Sequence, residues 1–377
     1  CGGEGRGGMI YLDYQETTPL APEVFDAMVP WLRDRFANPH SAHRMGREAA
    51  AAVEVAREQV AALMPTGGRA IFTSGATEAL NIAIWGAALR MRGRDGRRVR
   101  VVTVETEHAA VRDSVLALAQ EGFEPVLLPV GADGIVDSEA VAREVDERTA
   151  LLAVMLVNNE IGAIQPVEAL ADIAHRSGAL FLCDAVQGFG RIDLPSSADL
   201  IAISGHKIHG PKGIGALWLR DGLDLPPLIH GGGQEGGLRS GTLSPALCVG
   251  LGTAARLMAE RHEADTAHVD ALWMRARALL GDWTLNGSAD ARYHGNLNLR
   301  RTGIDAARLM SECRDVAFSL GSACASGSGR PSHVLCALGL SDREARSSIR
   351  LGFGRYTSGE ELEAAVESIN RAAAAQL

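Results

Sequence analysis

Lys207 stands just past the apolar run Leu200-Ile201-Ala202-Ile203-Ser204, inside the turn Gly205-His206-Lys207-Ile208-His209-Gly210. A lysine held out of bulk water has a lowered pKa and a nucleophilic amine, the state that Schiff-base chemistry with a carbonyl cofactor needs. The competing reading is an ordinary surface cation. Upstream, Leu180-Phe181-Leu182-Cys183-Asp184 reads as a second buried strand, and it ends in a carboxylate. An amine for an aldehyde and an acid that keeps a pyridine nitrogen protonated are the two groups pyridoxal phosphate requires. Either residue alone is commonly structural or solvated, but the pair points to that cofactor.

Three further segments supply what such a site would use. Thr73-Ser74-Gly75-Ala76-Thr77-Glu78 passes from a strand through a Ser/Gly turn into a helix start, so free backbone N–H groups and the Thr77 hydroxyl would face an anion. On its own it is also a plain helix cap. Ser204 and His206 flank Lys207 and would add donors to a phosphate there. His108 follows another strand and would stack on a flat ring while exchanging protons, unless it is only a loop residue.

Two more residues suit substrate chemistry. Cys324 lies in Ser319-Leu320-Gly321-Ser322-Ala323-Cys324-Ala325-Ser326-Gly327-Ser328-Gly329, small and polar residues expected to form a movable loop with an accessible thiol. Cys183 and Cys248 sit in apolar runs and read as inert core. Arg350 interrupts the apolar strand Ser348-Ile349-Arg350-Leu351, where an unpaired charge is costly. It needs either an acidic partner within the protein or a substrate carboxylate held bidentately. His40/His43 and His206/His209 lack a third ligand, so no metal site is expected.

The elements that must position these groups are legible as periodicity. From about residue 70 to 220, short apolar runs alternate with amphipathic ones, the pattern of an α/β protein with a mostly parallel sheet wrapped by helices. The predicted strands are 70–73, 99–104, 125–130, 151–157, 180–184, 200–204 and 215–219, and the candidate residues fall at their ends, where such sheets bind ligands. A Gly-rich stretch, 231–241, leads through Pro245 into a long helix predicted over 246–280. Gly250-Leu251-Gly252-Thr253-Ala254-Ala255 matches a dinucleotide-binding pattern but has no strand before it, so it reads as helix packing. Residues 20–255 are expected to form the large domain, and 9–19 with 256–377 a smaller α+β domain. Residues 1–8 read as a leader or appended segment.

Composition bounds the rest. The chain has 377 residues, 46% hydrophobic and 22% charged, which is ordinary for a globular protein with a sizeable core. A net charge of −9 argues against direct nucleic-acid binding, and no run reaches the ~20 apolar residues of a membrane span. The six cysteines include no CxxC pair, so a disulfide framework is not expected and a reducing, cytoplasmic setting is.

Taken in order, these segments resemble the cysteine desulfurases of the NifS/IscS type, within the class V aminotransferase-like enzymes. The resemblance runs from Tyr11 to about Tyr356. It rests on Tyr11-Leu12-Asp13, Asn38-Pro39, Thr73 to Glu78, Thr106-Glu107-His108, Asn158-Asn159-Glu160, Asp184 with Gln187, Ser204-Gly205-His206-Lys207, Arg239-Ser240-Gly241-Thr242, Gly321-Ser322-Ala323-Cys324 and Ser348-Ile349-Arg350. The resemblance implies fold type I of the pyridoxal-phosphate-dependent transferases, with a seven-stranded sheet. It implies that Lys207 bonds the cofactor aldehyde, Asp184 the pyridinium nitrogen and Gln187 the ring hydroxyl. His108 would stack on the ring, and Asn159, or alternatively Asn158, would contact cofactor and substrate. Ala76, Thr77, Ser204 and His206 would hold the phosphate, joined by Thr242 from the second subunit of a homodimer. Arg350 and Asn38 would hold the carboxylate of L-cysteine. Cys324 would take its sulfur as a persulfide, leaving L-alanine, and pass the sulfur to an acceptor protein such as an iron–sulfur scaffold or a thiolation protein.

Two other activities fit the same motifs, a selenocysteine or other class V lyase and a non-catalytic sulfur-transfer scaffold. The chain also departs from the family pattern. Glu16 stands where a small residue is usual, which puts a new carboxylate near the substrate entrance, while Gly236 and Arg330 replace an arginine and an acidic residue. A shorter C-terminal tail than that of scaffold-loading relatives is expected. Lys212 is expected to point away from the site.

Overall fold

The structure is a computed structural model and describes residues 8–321 and 331–377. After the short strand β1 (Ile10–Tyr11) come two helices, α1 (Pro22–Arg33) and α2 (Arg44–Ala61). The alternating run follows as β2 (Gly68–Thr73), α3 (Ala76–Arg94), β3 (Arg100–Val104), α4 (Ala109–Ala117), β4 (Glu124–Leu128), α5 (Ser138–Glu144), β5 (Thr149–Met155) and α6 (Val167–Arg176). It closes with β6 (Leu180–Asp184), β7 (Leu200–Ser204) and β8 (Gly215–Arg220). The strands β2 to β8 make one seven-stranded sheet in the order β2-β8-β7-β6-β5-β3-β4. Only β8 runs against its neighbours in this sheet; the pairs from β7 across to β4 are parallel. The fold is the α/β architecture that the alternating pattern predicts.

Burial on both faces explains the continuous apolar strands. All seven residues of β5 are buried, as required when helices cover both sides of a parallel sheet. Because side chains alternate between faces, Leu151 and Ala153 pack with α3 and α4, whereas Leu152 and Val154 pack with α1, α2, α6 and the next helix, α7 (Pro245–Leu279). That helix starts where Ser244 accepts a hydrogen bond from the Leu247 N–H and Pro245 fills the first turn. Its glycines serve packing: a Cβ on Gly250 would lie 2.7 Å from Met28 Sδ, and one on Gly252 2.6 Å from Ala56 Cα. The dinucleotide-like pattern is therefore a close crossing of α7 over α1 and α2.

A second apolar core gathers around the far end of α7. Val269, Leu272, Trp273 and Ala276 pack there with Leu12, with strands β10 (Asn296–Arg300) and β13 (Ser348–Gly352), and with the last helix. The elements between are β9 (Thr284–Leu285), α8 (Ala306–Glu312), β11 (Val316–Ala317), β12 (Ser319–Leu320), α9 (His333–Ala337) and α10 (Asp342–Arg346), and the chain closes with α11 (Gly359–Ala374). The small sheet has the order β12-β13-β10-β9, and β1 pairs in parallel with β11. On β13, Ile349 and Leu351 face this core. The intervening Arg350 must therefore point the other way, toward the edge of the large sheet.

Candidate active site

The parallel strands deliver their terminal residues to one edge. β6 ends in Asp184, β7 ends in Ser204, and the chain then makes a single 3-10 turn, Gly205–Lys207. β3 leads to His108, whose Nδ1 accepts the Ala110 N–H at 3.1 Å and caps α4. β2 leads through Ser74 and Gly75 into α3, where the first helix N–H to bond back is that of Ala79, to Gly75 O. The earlier N–H groups, including those of Ala76 and Thr77, lack an intrahelical partner and carry the positive end of the helix dipole. Gly215 lets the Gly75 turn lie against the end of β7: a Cβ there would sit 2.5 Å from Ile203 O and 2.8 Å from Gly75 C.

These ends enclose a cavity of about 600 Å³. Its walls include Ala76, Thr77, His108, Asn159, Asp184, Gln187, Ser204, His206 and Lys207, along with Gln15, Glu16 and Thr17 from the N-terminal segment. Of the neighbouring asparagines, Asn159 lines the space. The side chain of Asn158 is consumed internally, donating to Thr106 O and accepting from Glu160 N and Ile161 N. Lys212 also lines the cavity, at an exposed position, so the expectation that it points away is corrected. The reason is its place in the Pro211–Gly213 turn, which folds back beside Lys207 before β8.

Burial sets the electrostatics. The Lys207 amine is brought down to about 8, mainly by desolvation and further by Arg350 and Arg191, against the opposing pull of Glu16. It donates to the backbone carbonyls of Gln15 and, at 2.7 Å, Glu16. Asp184 is pushed up by burial, although the Val186 N–H, His108 and Lys207 pull the other way. A buried acid of this kind is stabilised by a cationic N–H placed against it. Beside it, Glu107 is fully buried and pushed well up by desolvation, accepting the Met155 N–H at 2.8 Å. His206 is lowered to about 4 by burial and by Lys207 and Lys212, so at neutral pH its ring is uncharged, with Nδ1 3.2 Å from Thr17 Oγ1.

The lowered lysine gives a direct test. The neutral amine is the form that attacks an aldehyde, so the rate at which an aldehyde probe attaches to Lys207 should rise with pH through a midpoint near 8 rather than at the ordinary 10.5. Rapid-mixing absorbance across pH 6 to ~11 measures this. A midpoint above ~10 would contradict a desolvated amine.

Arg350 is completely buried, and its Nη2 bonds the Asp13 carboxylate at 3.0 Å, the Glu16 carboxylate at 2.7 Å and Ser319 Oγ at 3.1 Å. Nη1 donates to Asn159 O at 3.0 Å. Arg350 thus has acidic partners within the protein, and one of them, Glu16, lines the cavity.

Two expected site residues among the described ones, Asn38 and Thr242, are not brought to this cavity. Asn38 is exposed, and its Oδ1 accepts the His40 N–H at 2.9 Å, closing a local turn. Thr242 is exposed and follows Arg239, which ties the Gly-rich stretch to Glu78 at 2.6 Å. Cys324 lies outside the described residues. Conversely, motif reading missed Arg191, whose Nη1 and Nη2 donate to the carbonyls of Gln187 and Lys207 and so clamp the two turns together. It missed Gln15 as well, whose carbonyl accepts from both Gln187 and Lys207. Neither carries a sequence signal, because the one acts through backbone carbonyls and the other through its own.

Residues 10–365 match the aminotransferase class-V family, and the chain belongs to that family. It is 44% identical over 371 residues to the cysteine desulfurase IscS of Rickettsia bellii (strain OSU 85-389), covering 96% of this chain and 90% of the relative. Among solved structures, a NifS-like protein superposes with a TM-score of 0.89 at 32% identity, covering 96% of this chain and 98% of the other. A structure of SspA in complex with cysteine gives 0.83 at 35%, covering 93% and 100%. Fold, family and relatives together make the chain an enzyme of the NifS/IscS type, a cysteine desulfurase.

Proposed function

We propose that the cavity binds pyridoxal phosphate and converts L-cysteine to L-alanine, with the sulfur taken by Cys324 as a persulfide and passed to an acceptor protein. The observation that carries this is the convergence of the Lys207 amine, the buried Asp184 carboxylate, the His108 ring and the α3 N-terminus on one cavity. That donor set fits the cofactor group by group: an amine for its aldehyde, an acid for its ring nitrogen, a flat ring for its face and free N–H groups for its phosphate. Bound there, pyridoxal phosphate supplies an aldehyde that condenses with amines and a ring that withdraws electrons from the substrate's α- and β-carbons.

The chain's own residues do the rest. Lys207, whose amine desolvation makes easier to deprotonate, is the covalent attachment point and afterwards a base beside the substrate's α-carbon. Asp184 keeps the ring nitrogen cationic, and Gln187, held by Gln15 O, is placed for the ring hydroxyl. Thr77, Ser204 and the uncharged His206 donate to the phosphate, and Ala76 contributes its N–H. His108 exchanges protons through the ring nitrogen that is not engaged with Ala110. Arg350 receives the substrate carboxylate, with Asn159 beside it. The sulfur step balances as cysteine plus a protein thiol giving alanine plus a protein persulfide: the β-carbon–sulfur bond breaks, and a sulfur–sulfur bond forms on Cys324. Among the described cysteines, the three buried ones do not compete for this role. Cys183, Cys248 and Cys313 are buried, and all three thiols, like that of Cys336, are shifted up by burial, Cys248 to about 12.

A second copy of the chain completes the reading, with Thr242 serving the partner's cavity. The exposed apolar side chains Phe25, Leu32 and Phe36 on and after α1 support such a contact. No helix among the described residues is long and apolar enough to cross a membrane. A thiol that must cycle through a persulfide requires a reducing compartment, for which we assign the cytoplasm.

The test is to supply pyridoxal phosphate, L-cysteine and a thiol reductant. L-Alanine and sulfide should accumulate in equal amounts, and formation of neither would overturn the proposal. Asp184→Ala should keep part of its cofactor yet lose roughly 10²-fold in turnover, the scale of a removed charge-stabilising group. Wild-type turnover in that variant would mean that another group protonates the ring.

A further inference from the structure

We propose that Glu16 is a specificity-determining residue that occupies the carboxylate position on Arg350 and is exchanged for the carboxylate of the incoming substrate. This rests on the reading of Arg350 as the substrate's carboxylate anchor. The geometry separates a fixed partner from a movable one. Asp13 also accepts from Ser319 Oγ at 2.8 Å, which ties it down, and its side chain is 18% exposed. Glu16 is 41% exposed, lines the cavity, and among the described residues has Arg350 as its one side-chain hydrogen-bond donor.

The guanidinium itself shows that Glu16 fills the position incompletely. Arg350 Nε is buried without a hydrogen-bond partner among the described residues, while Glu16 bonds only the adjacent Nη2. Nε and Nη2 form one edge of the fork that grips a carboxylate through two parallel bonds. A ligand carboxylate placed on that edge gains the bond Glu16 leaves unmade. The exchange is also neutral in charge, one carboxylate leaving as another arrives, so Arg350 is never left as an unpaired buried cation. The same two-residue segment restrains the other cation of the site, since Lys207 Nζ donates to the carbonyls of Gln15 and Glu16.

The consequence is a filter. Ligands with a carboxylate able to span Nε and Nη2 displace Glu16, whereas thiols without one do not. The cost is affinity: a ligand that must first displace a resident group binds more weakly by the fraction of time the site is open.

The experiment compares 3-mercaptopropionate, which has the thiol and carboxylate but no amine to react, with its uncharged amide, using calorimetry on the cofactor-loaded protein. Steady-state kinetics with L-cysteine run alongside. Glu16→Ala and the isosteric Glu16→Gln should each bind the acid roughly five- to tenfold more tightly and lower KM for L-cysteine by a similar factor, with kcat changed less than about twofold. Affinity for the amide should not increase. Unchanged or weaker acid binding in both variants overturns the proposal. So does equal tightening toward acid and amide, because Glu16 would then act only by filling space. Arg350→Lys separates the two readings. If it weakens acid binding while the Glu16 variants do not strengthen it, the exchange is wrong and the anchor stands. If it leaves acid binding at the wild-type value, the anchor itself is wrong.

Discussion

Lys207→Ala should abolish covalent attachment of pyridoxal phosphate and lower turnover by roughly 10³-fold or more, because the variant loses both the amine that holds the cofactor and the base beside the α-carbon. The absorption of the lysine-linked cofactor should vanish even at saturating cofactor. Noncovalent binding should persist, since Thr77, Ser204 and His206 still line the phosphate end of the cavity. The fold should tolerate the change: among the described residues the Lys207 side chain bonds the carbonyls of Gln15 and Glu16 alone, and the Arg191 clamp uses the Lys207 backbone. Lys212 is the one other lysine along this wall, so peptide mapping after reductive trapping should find no cofactor there. Attachment at Lys212 with retained turnover would contradict the assignment of Lys207.

Cys324→Ala should separate cofactor chemistry from sulfur transfer. Lys207, Asp184, Gln187 and Arg350 are untouched, so the cofactor spectrum and the spectral response to added L-cysteine should match wild type. Turnover to alanine should fall by roughly 10³-fold, the scale of a lost nucleophile, because the γ-sulfur has no thiolate to leave on. Alanine formed at the wild-type rate would place the nucleophile elsewhere.

The central strands were legible because each is an apolar run closed by a polar residue and a turn. Leu180–Asp184 and Leu200–Ser204 match their predicted bounds. Elsewhere the ends moved by a residue or two for physical reasons. The strand predicted to reach Val157 stops at Met155, and Val157 instead bridges to Ile164 in a local turn. On the edge strand, Glu124 joins β4 because its side chain reaches solvent and pairs with Arg148 at 2.8 Å. Asp184, His108 and Lys207 could be read as candidates because each follows such a strand and their chemistries complement one another.

What stayed hidden depends on tertiary approach. Arg350 could be recognised as a charge needing a partner, but Asp13 and Glu16 lie at the opposite end of the chain and meet it only because β1 pairs with β11 and Asp13 bridges to Gly352. The carboxylate expected at the substrate entrance therefore sits on Arg350 itself. Asn158 and Asn159 are equivalent on paper, and only the packing beneath Thr106 assigns the first to structure and the second to the cavity.

The central claim is that L-cysteine's sulfur moves to Cys324 in a cavity organised by Lys207 and Asp184. The most direct measurement is a single turnover with sulfur-labelled L-cysteine, without reductant or acceptor, followed by alkylation and mass spectrometry of every cysteine-containing peptide. The account predicts one labelled sulfur atom added to the Cys324 peptide for each alanine released, and none on the peptides of Cys183, Cys248, Cys313 or Cys336. Alanine released with an unmodified Cys324, or label carried by Cys336 in its place, would contradict it.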